Sequence, residues 1–242
     1  MSKTVLVTGI RRIGKDICKH LLEKGYKISV VFRHSEESVK ELEEFGNIFL
    51  PIRVDLKDSS SYMYVVEETV EKFGGIDAFI HLASPYYETP IPDLDSTAFY
   101  DHFKPILEAF LFISKYCFDY MKNNKESQVK GRIIAFGDWA VEKTPYKNFS
   151  AYFISKGALH TAVRVLAREF APHVLVNCIA LGPTLKPEKA EEDYWLKILD
   201  NTPLKREVPL KDVLNLVDFL LSTEGMTGEI INLDSGRHIK GS

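Results

Sequence analysis

The fold is decided by residues 4–32, which read TVLVTGIRRIGKDICKHLLEKGYKISVVF. The stretch opens with an apolar run at residues 5–7, passes through a turn that contains Gly9 and Gly14, and closes with a second apolar run at residues 28–32. Between the runs lies a helical pattern whose apolar positions repeat every four residues. These positions are Ile13, Ile17 and Leu21. A strand, a helix and a second strand in this order predict the βαβ unit of a parallel sheet.

The same alternation continues along the whole chain. Seven short apolar runs, rich in Ile and Val, are separated by helical patterns and lie at residues 5–7, 28–32, 48–52, 76–82, 133–136, 174–180 and 230–233. Runs that are apolar on both faces are typical of strands that are covered on both sides. No linker, low-complexity tract or fixed-period repeat interrupts them. We therefore predict an α/β fold in which residues 1–242 form one domain around a doubly wound, parallel, seven-stranded sheet.

Composition excludes several classes of function. The formal net charge of −3 gives no electrostatic reason to bind nucleic acid or an anionic membrane. No apolar run approaches the roughly 20 residues that span a bilayer, and the first run is too short for the core of a signal peptide. The three cysteines are scattered and the seven histidines show no zinc-like pairing. We expect a cytoplasmic protein that binds a small molecule, without metal, nucleic-acid or membrane partners.

The turn after the first strand predicts a nucleotide site. Glycines at Gly9 and Gly14 let the backbone approach a pyrophosphate, and the helix that follows offers N–H groups and the positive end of its dipole. The predicted contacts also include Arg11, Arg12 and Ile13. Two glycines at such a turn are common in other proteins, and it is the position on the first strand of an alternating fold that favours a dinucleotide.

The residues after the second strand predict which dinucleotide binds. NAD usually requires an acidic side chain here, whereas an arginine suits the 2′-phosphate of NADP. This chain has Arg33, His34 and Ser35, and no acid before Glu36. We therefore predict NADPH/NADP+ as the cofactor, with these three residues around the 2′-phosphate. The alternative is that Arg33 is a solvated side chain at the end of a strand.

Three further segments follow predicted strands. Asp55 and Leu56 end the third strand, where Asp55 either accepts a hydrogen bond from the adenine amino group or caps the helix that starts near Ser59. Residues 83–95 and 182–206 are proline-rich stretches after the fourth and sixth strands. Open parallel sheets bind ligands at the carboxyl ends of their strands. We expect these two stretches to form walls of a substrate pocket, although surface loops remain the simpler interpretation.

Tyr152 and Lys156 open the helix after the fifth strand and predict the catalytic centre. A spacing of four places the two side chains on one face of the helix. A phenol with a pKa near 10 is a poor acid or base at neutral pH, and an adjacent ammonium favours phenolate and lowers that pKa. The pair is then able to exchange a proton as hydride arrives. Such pairs are common on ordinary helices, so the inference depends on the nucleotide turn upstream.

The order of these motifs resembles the short-chain dehydrogenase/reductase family, whose members have a Rossmann fold, over nearly the full chain. The matching segments are Thr8-Gly9 with Gly14, Asp55-Leu56, Ala83-Ser84, Tyr152 with Lys156, Asn177 with Gly182-Pro183, and Thr227-Gly228 with Asp234-Ser235-Gly236. Within the family, the chain is similar to the pteridine reductase and dihydromonapterin reductase group. The similarity lies in Arg12-Ile13-Gly14, in residues 83–90, and in Asp138, which stands where most members have a catalytic serine.

The resemblance implies a role for each site residue. Tyr152 is the expected proton donor, Lys156 binds the nicotinamide ribose, and Asp138 assists proton delivery, although an ionised Asp138 would hold the phenol protonated. Ser84 is expected to contact ligand and Tyr86 to stack a flat heterocycle against the nicotinamide. Further expected cofactor contacts are Ala83, Ser84, Gly182 and Thr184. The alternatives are that Tyr86 packs on its own loop and that Asp138 only caps a turn.

Departures from the family pattern keep three functions open. The glycine turn is one residue shorter than usual, Leu82 and Ile106 replace asparagines, and Asp138 precedes Tyr152 by one residue more than usual. The first hypothesis is an NADPH-dependent reductase of a pteridine-like C=N bond. The second is a reductase of a 3-oxoacyl thioester or another ketone, against which the missing serine counts. The third is a dinucleotide-binding sensor without turnover, which Leu82 and Ile106 favour.

The segment 99–121 predicts the assembly state. It carries more aromatic residues than one core-facing helix stripe accommodates, namely Phe99, Phe103, Phe110, Phe112, Tyr116, Phe118 and Tyr120. The simpler interpretation is that part of this surplus enters the core. The family resemblance implies a homotetramer (or homodimer) in which this region and the Tyr152 helix pair across two-fold axes.

Overall fold

The computed structural model describes residues 3–125, 128–187 and 190–240. These residues contain one parallel sheet in the strand order β3-β2-β1-β4-β5-β6-β7. The strands are β1 (Thr4–Thr8), β2 (Lys27–Phe32), β3 (Phe49–Arg53), β4 (Ala78–His81), β5 (Gly131–Asp138), β6 (Val174–Leu181) and β7 (Ile230–Leu233). The predicted doubly wound, seven-stranded parallel sheet is confirmed, with strand ends displaced by one to two residues. The extension of one domain over residues 1–242 stays a prediction.

Helices connect the strands and cover both faces of the sheet. They are α1 (Ile13–Glu23), α2 (Glu36–Lys40), α3 (Ser61–Phe73), α4 (Ser96–Phe103), α5 (Ala109–Met121), α6 (Ser150–Phe170), α7 (Glu192–Asp200) and α8 (Leu210–Ser222). A π-helical turn at Lys104–Glu108 joins α4 to α5, and short 3₁₀ helices include Trp139–Glu142 and Arg237–Ile239. In the described ranges, no helix is both long and apolar enough to cross a lipid bilayer. The expected cytoplasmic location stays a prediction.

Two hydrophobic layers sandwich the sheet, because successive side chains of a strand point to opposite faces. In β1, Leu6 packs with α3, α5 and α6, whereas Val5 and Val7 pack with α1 and α8. The same split separates Phe79 from Ile80 in β4. All five side chains have no solvent exposure. This double burial is the physical reason for the continuous apolar runs in the sequence.

The strand order reverses between β1 and β4, and this reversal positions the site. At such a switch point the loops that leave neighbouring strands diverge to opposite faces and open a crevice at the carboxyl edge of the sheet. The residues at this edge are Gly9 after β1, Leu82 after β4, Asp138 at the end of β5 and Gly182 after β6. The fold thereby brings together segments that are far apart in the sequence.

Candidate active site

A cleft of about 670 Å³ opens at the carboxyl edge of the sheet. Nine of the residues predicted for the site line it, namely Arg11, Arg12, Ile13, Gly14, Tyr86, Asp138, Tyr152, Gly182 and Thr184. Both proline-rich stretches contribute to the walls, the first through Tyr86 and Glu88 and the second through Tyr194 and Trp195. The structure therefore brings the predicted catalytic, nucleotide and substrate segments to one place, while the role of each residue stays a prediction.

Asp138 and Tyr152 form a hydrogen-bonded pair at the floor of the cleft. The Tyr152 hydroxyl donates to Asp138 Oδ2 at 2.9 Å, and the Ala140 backbone N–H donates to Asp138 Oδ1 at 2.8 Å. Asp138 therefore also caps the short helix that follows β5, as the simpler interpretation expected. Burial raises the pKa of the Asp138 carboxyl, and the hydrogen bonds from Ala140 and Tyr152 act against this shift.

The pKa of the Tyr152 phenol is raised well above its ordinary value of 10.0, first by burial and then by the Asp138 charge and hydrogen bond. The expectation that Lys156 lowers this pKa is therefore wrong for this arrangement. The physical reason is that the two charges lie at different distances from the phenol. Lys156 Nζ lies 5.7 Å from the centre of the Tyr152 ring, whereas the Asp138 carboxylate accepts a hydrogen bond from the Tyr152 hydroxyl. At neutral pH the phenol keeps its proton.

Lys156 is buried beneath the cleft floor. Its ammonium donates to the Phe136 carbonyl oxygen of β5 at 2.6 Å. Burial lowers the pKa of Lys156 to about 8, although the charge of Asp138 opposes the shift. Lys156 is not among the residues that form the cleft surface, so its expected contact with the nicotinamide ribose stays a prediction.

A buried histidine ties β1, β4 and the π-helical turn together beside this centre. Thr8 Oγ1 lies 2.7 Å from His81 Nδ1, and His81 Nε2 lies 3.0 Å from the carbonyl oxygen of Ile106. A carbonyl only accepts hydrogen bonds, so Nε2 carries the proton and Nδ1 accepts from Thr8. Burial lowers the pKa of His81 to about 3, which keeps the ring neutral. Ile106 therefore contributes its backbone carbonyl at the position where the family pattern has an asparagine side chain.

The glycine turn is packed as tightly as a phosphate-binding turn requires. A Cβ on Gly14 would lie 2.2 Å from the Gly9 carbonyl oxygen, and Gly9 itself adopts φ +90° against the backbone of Ala83. Helix α1 begins at Ile13, and both Ile13 and Gly14 face the cleft. The positive end of the α1 dipole therefore lies at the cleft wall, which fits a bound pyrophosphate.

Arg12 connects this turn to the loop after β6. Its Nη2 donates to the carbonyl oxygens of Leu185 at 2.6 Å and Lys186 at 2.9 Å. The Arg12 backbone has φ 54° and ψ −118°, a conformation that favours glycine. Sequence reasoning assigned Arg12 to the cofactor, and the structure shows that its guanidinium also bonds the wall of the cleft opposite the glycine turn.

The residues predicted for the adenosine end lie outside the cleft proper, at the ends of β2 and β3. Arg33 Nη1 pairs with Asp55 Oδ2 at 3.2 Å, and Arg33 Nε donates to His34 Nε2 at 2.7 Å. Asp55 Oδ1 accepts from the Lys57 backbone N–H at 3.0 Å. Ser35 immediately precedes α2, and Leu56 is buried in the core.

The interpretation of Asp55 as a helix cap is wrong, because Asp55 closes a turn well before α3 begins at Ser61. The carboxylate at the approach to that helix belongs to Asp58, which accepts from the backbone N–H of Ser60 at 3.0 Å and from its hydroxyl at 2.7 Å. Asp55 therefore keeps one carboxylate oxygen for Arg33, beside the place where a ribose phosphate is predicted.

Tyr86 stands over the Tyr152 ring at the substrate side. Its ring stacks on Phe149 at 4.5 Å between centroids and meets Tyr152 edge-on at 4.9 Å. Tyr86 remains 54% exposed, so one face is accessible from the cleft. The two rings that Tyr86 contacts lie outside residues 83–95, so these contacts do not show packing on its own loop, and stacking on a heterocycle stays a prediction. The hydroxyl of Ser84 is buried without a hydrogen-bond partner among the described residues, which suits an expected ligand contact.

Sequence reasoning missed part of the substrate side. Arg237 follows β7 and lines the cleft, with its guanidinium carbon 4.8 Å from the centre of the Trp139 ring and 5.8 Å from that of Tyr146. Phe149 also lines the cleft. No local motif marks these residues. The available signal was positional, because Arg237 directly follows the Asp-Ser-Gly segment that comes after β7 at the carboxyl edge of the sheet.

Known proteins resemble this chain over nearly its whole length. The dihydromonapterin reductase of Enterobacter sp. (strain 638) is 29% identical over 243 residues, which cover 97% of this chain and 96% of that protein. The FolM alternative dihydrofolate reductase 1 of Brucella canis, solved in complex with NADP, is 27% identical with a TM-score of 0.87 and covers 99% of this chain and 95% of its own. Its Brucella suis counterpart, also in complex with NADP, is 26% identical with a TM-score of 0.90, over 99% and 96% of the two chains.

A family model described as enoyl-(acyl carrier protein) reductase matches residues 9–238, which include the glycine turn, the Asp138–Tyr152 pair, Lys156 and Arg237. The fold, the cleft at the switch point and this match agree with the resemblance drawn from the sequence motifs. The chain belongs to the short-chain dehydrogenase/reductase family of oxidoreductases.

Proposed function

We propose that the protein is an NADPH-dependent reductase that adds a hydride and a proton to the C=N bond of a pteridine-like substrate. The observation that carries this proposal is the half-buried Asp138 carboxyl hydrogen-bonded to Tyr152 beneath an aromatic cleft. A pteridine ring offers a π-face for aromatic walls and ring nitrogens that need a proton alongside the hydride. Relatives named dihydromonapterin reductase and solved relatives in complex with NADP support the same proposal.

The residues present fit NADP(H). The turn at Gly9 and Gly14 would hold the pyrophosphate, since a side chain at Gly14 would collide with the turn itself. Arg33 would bind the 2′-phosphate, with His34 and Ser35 beside it. The remaining expected contacts are Ala83, Ser84, Lys156, Gly182 and Thr184, of which Gly182 and Thr184 line the cleft. When bound, the cofactor supplies the hydride.

The protein's own groups supply the proton. The raised pKa of Tyr152 keeps its hydroxyl protonated at neutral pH, so Tyr152 is a proton donor rather than a base. The phenolate formed after donation is stabilised by the Lys156 ammonium, 5.7 Å from the ring centre. Burial raises the pKa of Asp138, so this carboxyl becomes protonated more readily than an exposed one and can pass its proton to Tyr152 across their 2.9 Å hydrogen bond.

Reduction of a 3-oxoacyl thioester is the second candidate. The description of the matching family model, enoyl-(acyl carrier protein) reductase, supports only the carrier-bound acyl group, because an enoyl reductase acts on a C=C bond and not on a 3-oxo group. Asp138 weighs against it, because a ketone oxygen needs only the Tyr152 proton and gains nothing from a second acid beside it. The hypothesis of a sensor without turnover loses its support, since the chain belongs to a family of oxidoreductases and retains Tyr152 at the cleft with Lys156 buried beneath it.

The test is NADPH oxidation, followed at the nicotinamide absorbance band, with a dihydropterin and a 3-oxoacyl thioester as competing substrates. We expect the dihydropterin to be reduced with the higher kcat/KM. Tyr152→Phe is expected to lower kcat by about 10²-fold or more, while the Kd for NADPH measured by fluorescence stays unchanged. Reduction of the thioester with no reduction of any pteridine would overturn the proposal.

A further inference from the structure

Arg237 is held in a fixed orientation at the substrate side of the cleft. It follows a turn that the buried Asp234 organises, because the Asp234 carboxylate accepts from the backbone N–H groups of Gly236 at 3.1 Å and His238 at 2.7 Å. The Arg237 guanidinium then packs on the rings of Trp139 and Tyr146, at 4.8 and 5.8 Å from their centres. Cation–π contacts of this kind restrain a guanidinium without using its N–H groups.

The guanidinium N–H groups of Arg237 have no hydrogen-bond or ion-pair partner in the described part of the chain, whereas its backbone N–H donates to the Asp234 carbonyl oxygen at 3.1 Å. Two other arginines show the contrast: Arg12 at the cleft binds two carbonyl oxygens, and Arg164 outside it pairs with Glu142 at 2.8 Å. Arg237 is half-buried, so water compensates its charge only in part. A planar, oriented guanidinium with unused donors is suited to bind an anion with two parallel hydrogen bonds.

The charge of Arg237 is directed at the substrate side and not at the glycine turn. It acts on Asp138, Tyr86 and Tyr146, whose acidic groups it stabilises in their ionised forms. All three line the cleft next to the Tyr152 hydroxyl, and Lys147 adds a second cation to the same wall. Arg11 and Arg12 lie at the glycine turn, where the phosphates of a dinucleotide are expected.

We propose that Arg237 is a specificity-determining residue that binds a carboxylate on the side chain of a flat heterocyclic substrate. The inference rests on the proposed function and adds a substrate class to it: a pteridine with an anionic side chain, preferred over one with a neutral hydroxylated side chain. Trp139 and Tyr146 hold the guanidinium in place, and Lys147 contributes charge without the planar geometry that two parallel hydrogen bonds require.

The kinetic test compares two substrates with the same reducible ring. Dihydrofolate carries a side chain that ends in glutamate, and dihydromonapterin carries a neutral hydroxylated side chain. Arg237→Gln is expected to lower kcat/KM for dihydrofolate by about 10- to 100-fold more than kcat/KM for dihydromonapterin, mainly through KM. Arg168→Gln, an exposed arginine of α6 outside the cleft, is the matched control. Equal losses for both substrates, or no loss for either, would overturn the inference.

A second variant separates recognition from an effect on Asp138. Arg237→Lys keeps the charge near Asp138 but loses the planar pair of donors. Recognition of a carboxylate predicts that this variant retains the pH profile for dihydromonapterin and still loses about tenfold in kcat/KM for dihydrofolate. A role through Asp138 alone predicts that Arg237→Lys behaves as wild type with both substrates, and that result would refute the inference.

A measurement of equilibrium binding tests the carboxylate site without requiring that the enzyme turn over. Calorimetry in the presence of NADP+ is expected to give a lower Kd for folate than for monapterin. Arg237→Gln is expected to lower the ratio of the monapterin Kd to the folate Kd by about 10- to 100-fold. If this holds while no dihydropterin is reduced, the proposed function fails and the carboxylate site stands. If both dihydropterins are reduced but the Arg237 variants leave the preference unchanged, the function stands and the carboxylate site fails.

Discussion

At Asp138, burial and hydrogen bonding act on one carboxyl in opposite directions. Burial disfavours the charged form, while Ala140, Tyr152 and Lys156 favour it, and burial prevails. The same contact raises the pKa of Tyr152. Because the two groups share a 2.9 Å hydrogen bond, they titrate as a coupled pair whose apparent pKa values belong to the pair.

The first prediction concerns the pH dependence of dihydropterin reduction. The raised pKa of Asp138 gives this carboxyl a larger protonated fraction at a given pH than an exposed carboxyl has. We therefore expect kcat to be highest below neutral pH and to decline as the pH rises through the titration of the Asp138–Tyr152 pair. Asp138→Asn keeps the hydrogen bond from Ala140 but cannot titrate, and it is expected to lower kcat by about 10²-fold and to lose this decline. Asp138→Ser is expected to lose pterin reduction and to keep weak ketone reduction. An unchanged rate and profile in both variants would leave Asp138 with a structural role only.

The pH range needs a stability control. His81 has a folded pKa of about 3, below its ordinary 6.5, because it is buried as a neutral ring. Between these values the unfolded chain binds a proton that the folded chain does not bind, so the free energy of unfolding decreases as the pH falls below about 6.5. Circular dichroism at each pH separates this loss of structure from the titration of the catalytic pair.

The second prediction concerns Arg33. Its pairing with Asp55 and His34 orients the side chain at the end of β2 while leaving it about half exposed. A 2′-phosphate would replace part of this pairing with a stronger charge-assisted contact. We expect NADPH to bind more tightly than NADH. Arg33→Ala is expected to lower the ratio of the NADH Kd to the NADPH Kd by about 10- to 100-fold. Arg168→Ala is the control. Equal Kd values for the two cofactors in the unmodified protein would contradict the assignment.

On the scale of elements, the glycine turn and the loop after β6 are joined by Arg12. The two hydrogen bonds to Leu185 and Lys186 hold the loop across the cleft, and they stabilise an arginine in a backbone conformation that costs about 1–3 kcal/mol for a non-glycine residue. The side chain thus offsets the strain of its own backbone. A substitution that removes the side chain also leaves the strain uncompensated, unless the new residue is glycine.

The third prediction uses this difference. Arg12→Ala and Arg12→Gly both lose the link between the loops, and we expect both to lose about tenfold in NADPH affinity. Only Arg12→Ala retains the backbone strain at φ 54°, so its Tm is expected to be lower than that of Arg12→Gly by about 2–4 °C or more. Equal Tm values in thermal unfolding would show that Arg12 relaxes to an unstrained conformation once its side chain is removed.

On the scale of the whole molecule, the aromatic segment 99–121 lies partly in the core and partly at the surface. Phe110 is fully buried, whereas Phe112 and Tyr120 on α5 are 37% and 39% exposed. Ile154 and Val165 on α6 are also exposed. The simpler interpretation of the aromatic surplus as core therefore holds for Phe110 and in part for Tyr116 and Phe118, which are partly buried against the core. Exposed apolar side chains on two adjacent helices suit an interface between copies of the chain.

The fourth prediction is a homotetramer (or homodimer) in solution. Light scattering after size exclusion at micromolar concentration is expected to give a multiple of the 27.6 kDa chain mass. Phe112→Glu places a charge in the expected interface and should shift the mass towards the single chain. Lys19→Glu, an exposed charge reversal on α1 at the other face of the sheet, is the control and should leave the mass unchanged. A single-chain mass for the unmodified protein would refute the assembly.

Local pattern determined the framework of this protein. The apolar runs predicted seven strands because each strand is buried on both faces, and strand–helix alternation predicted a parallel sheet. Two site motifs were also recognisable from local pattern. They are the turn at Gly9 and Gly14 and the four-residue spacing of Tyr152 and Lys156. Each depends on residues within a few positions of one another, so the sequence by itself contains the information.

Tertiary structure decided what depends on distance between remote residues and on burial. The Arg12 bond to Leu185 joins residues 173 apart, and the Arg237 contact with Trp139 joins two loops that no motif connects. The direction of the Tyr152 pKa shift was open in the sequence, because Lys156 and Asp138 oppose each other there. It followed only from the structure, in which the carboxylate touches the hydroxyl and the ammonium faces a carbonyl, since electrostatic effects fall with distance and grow with burial.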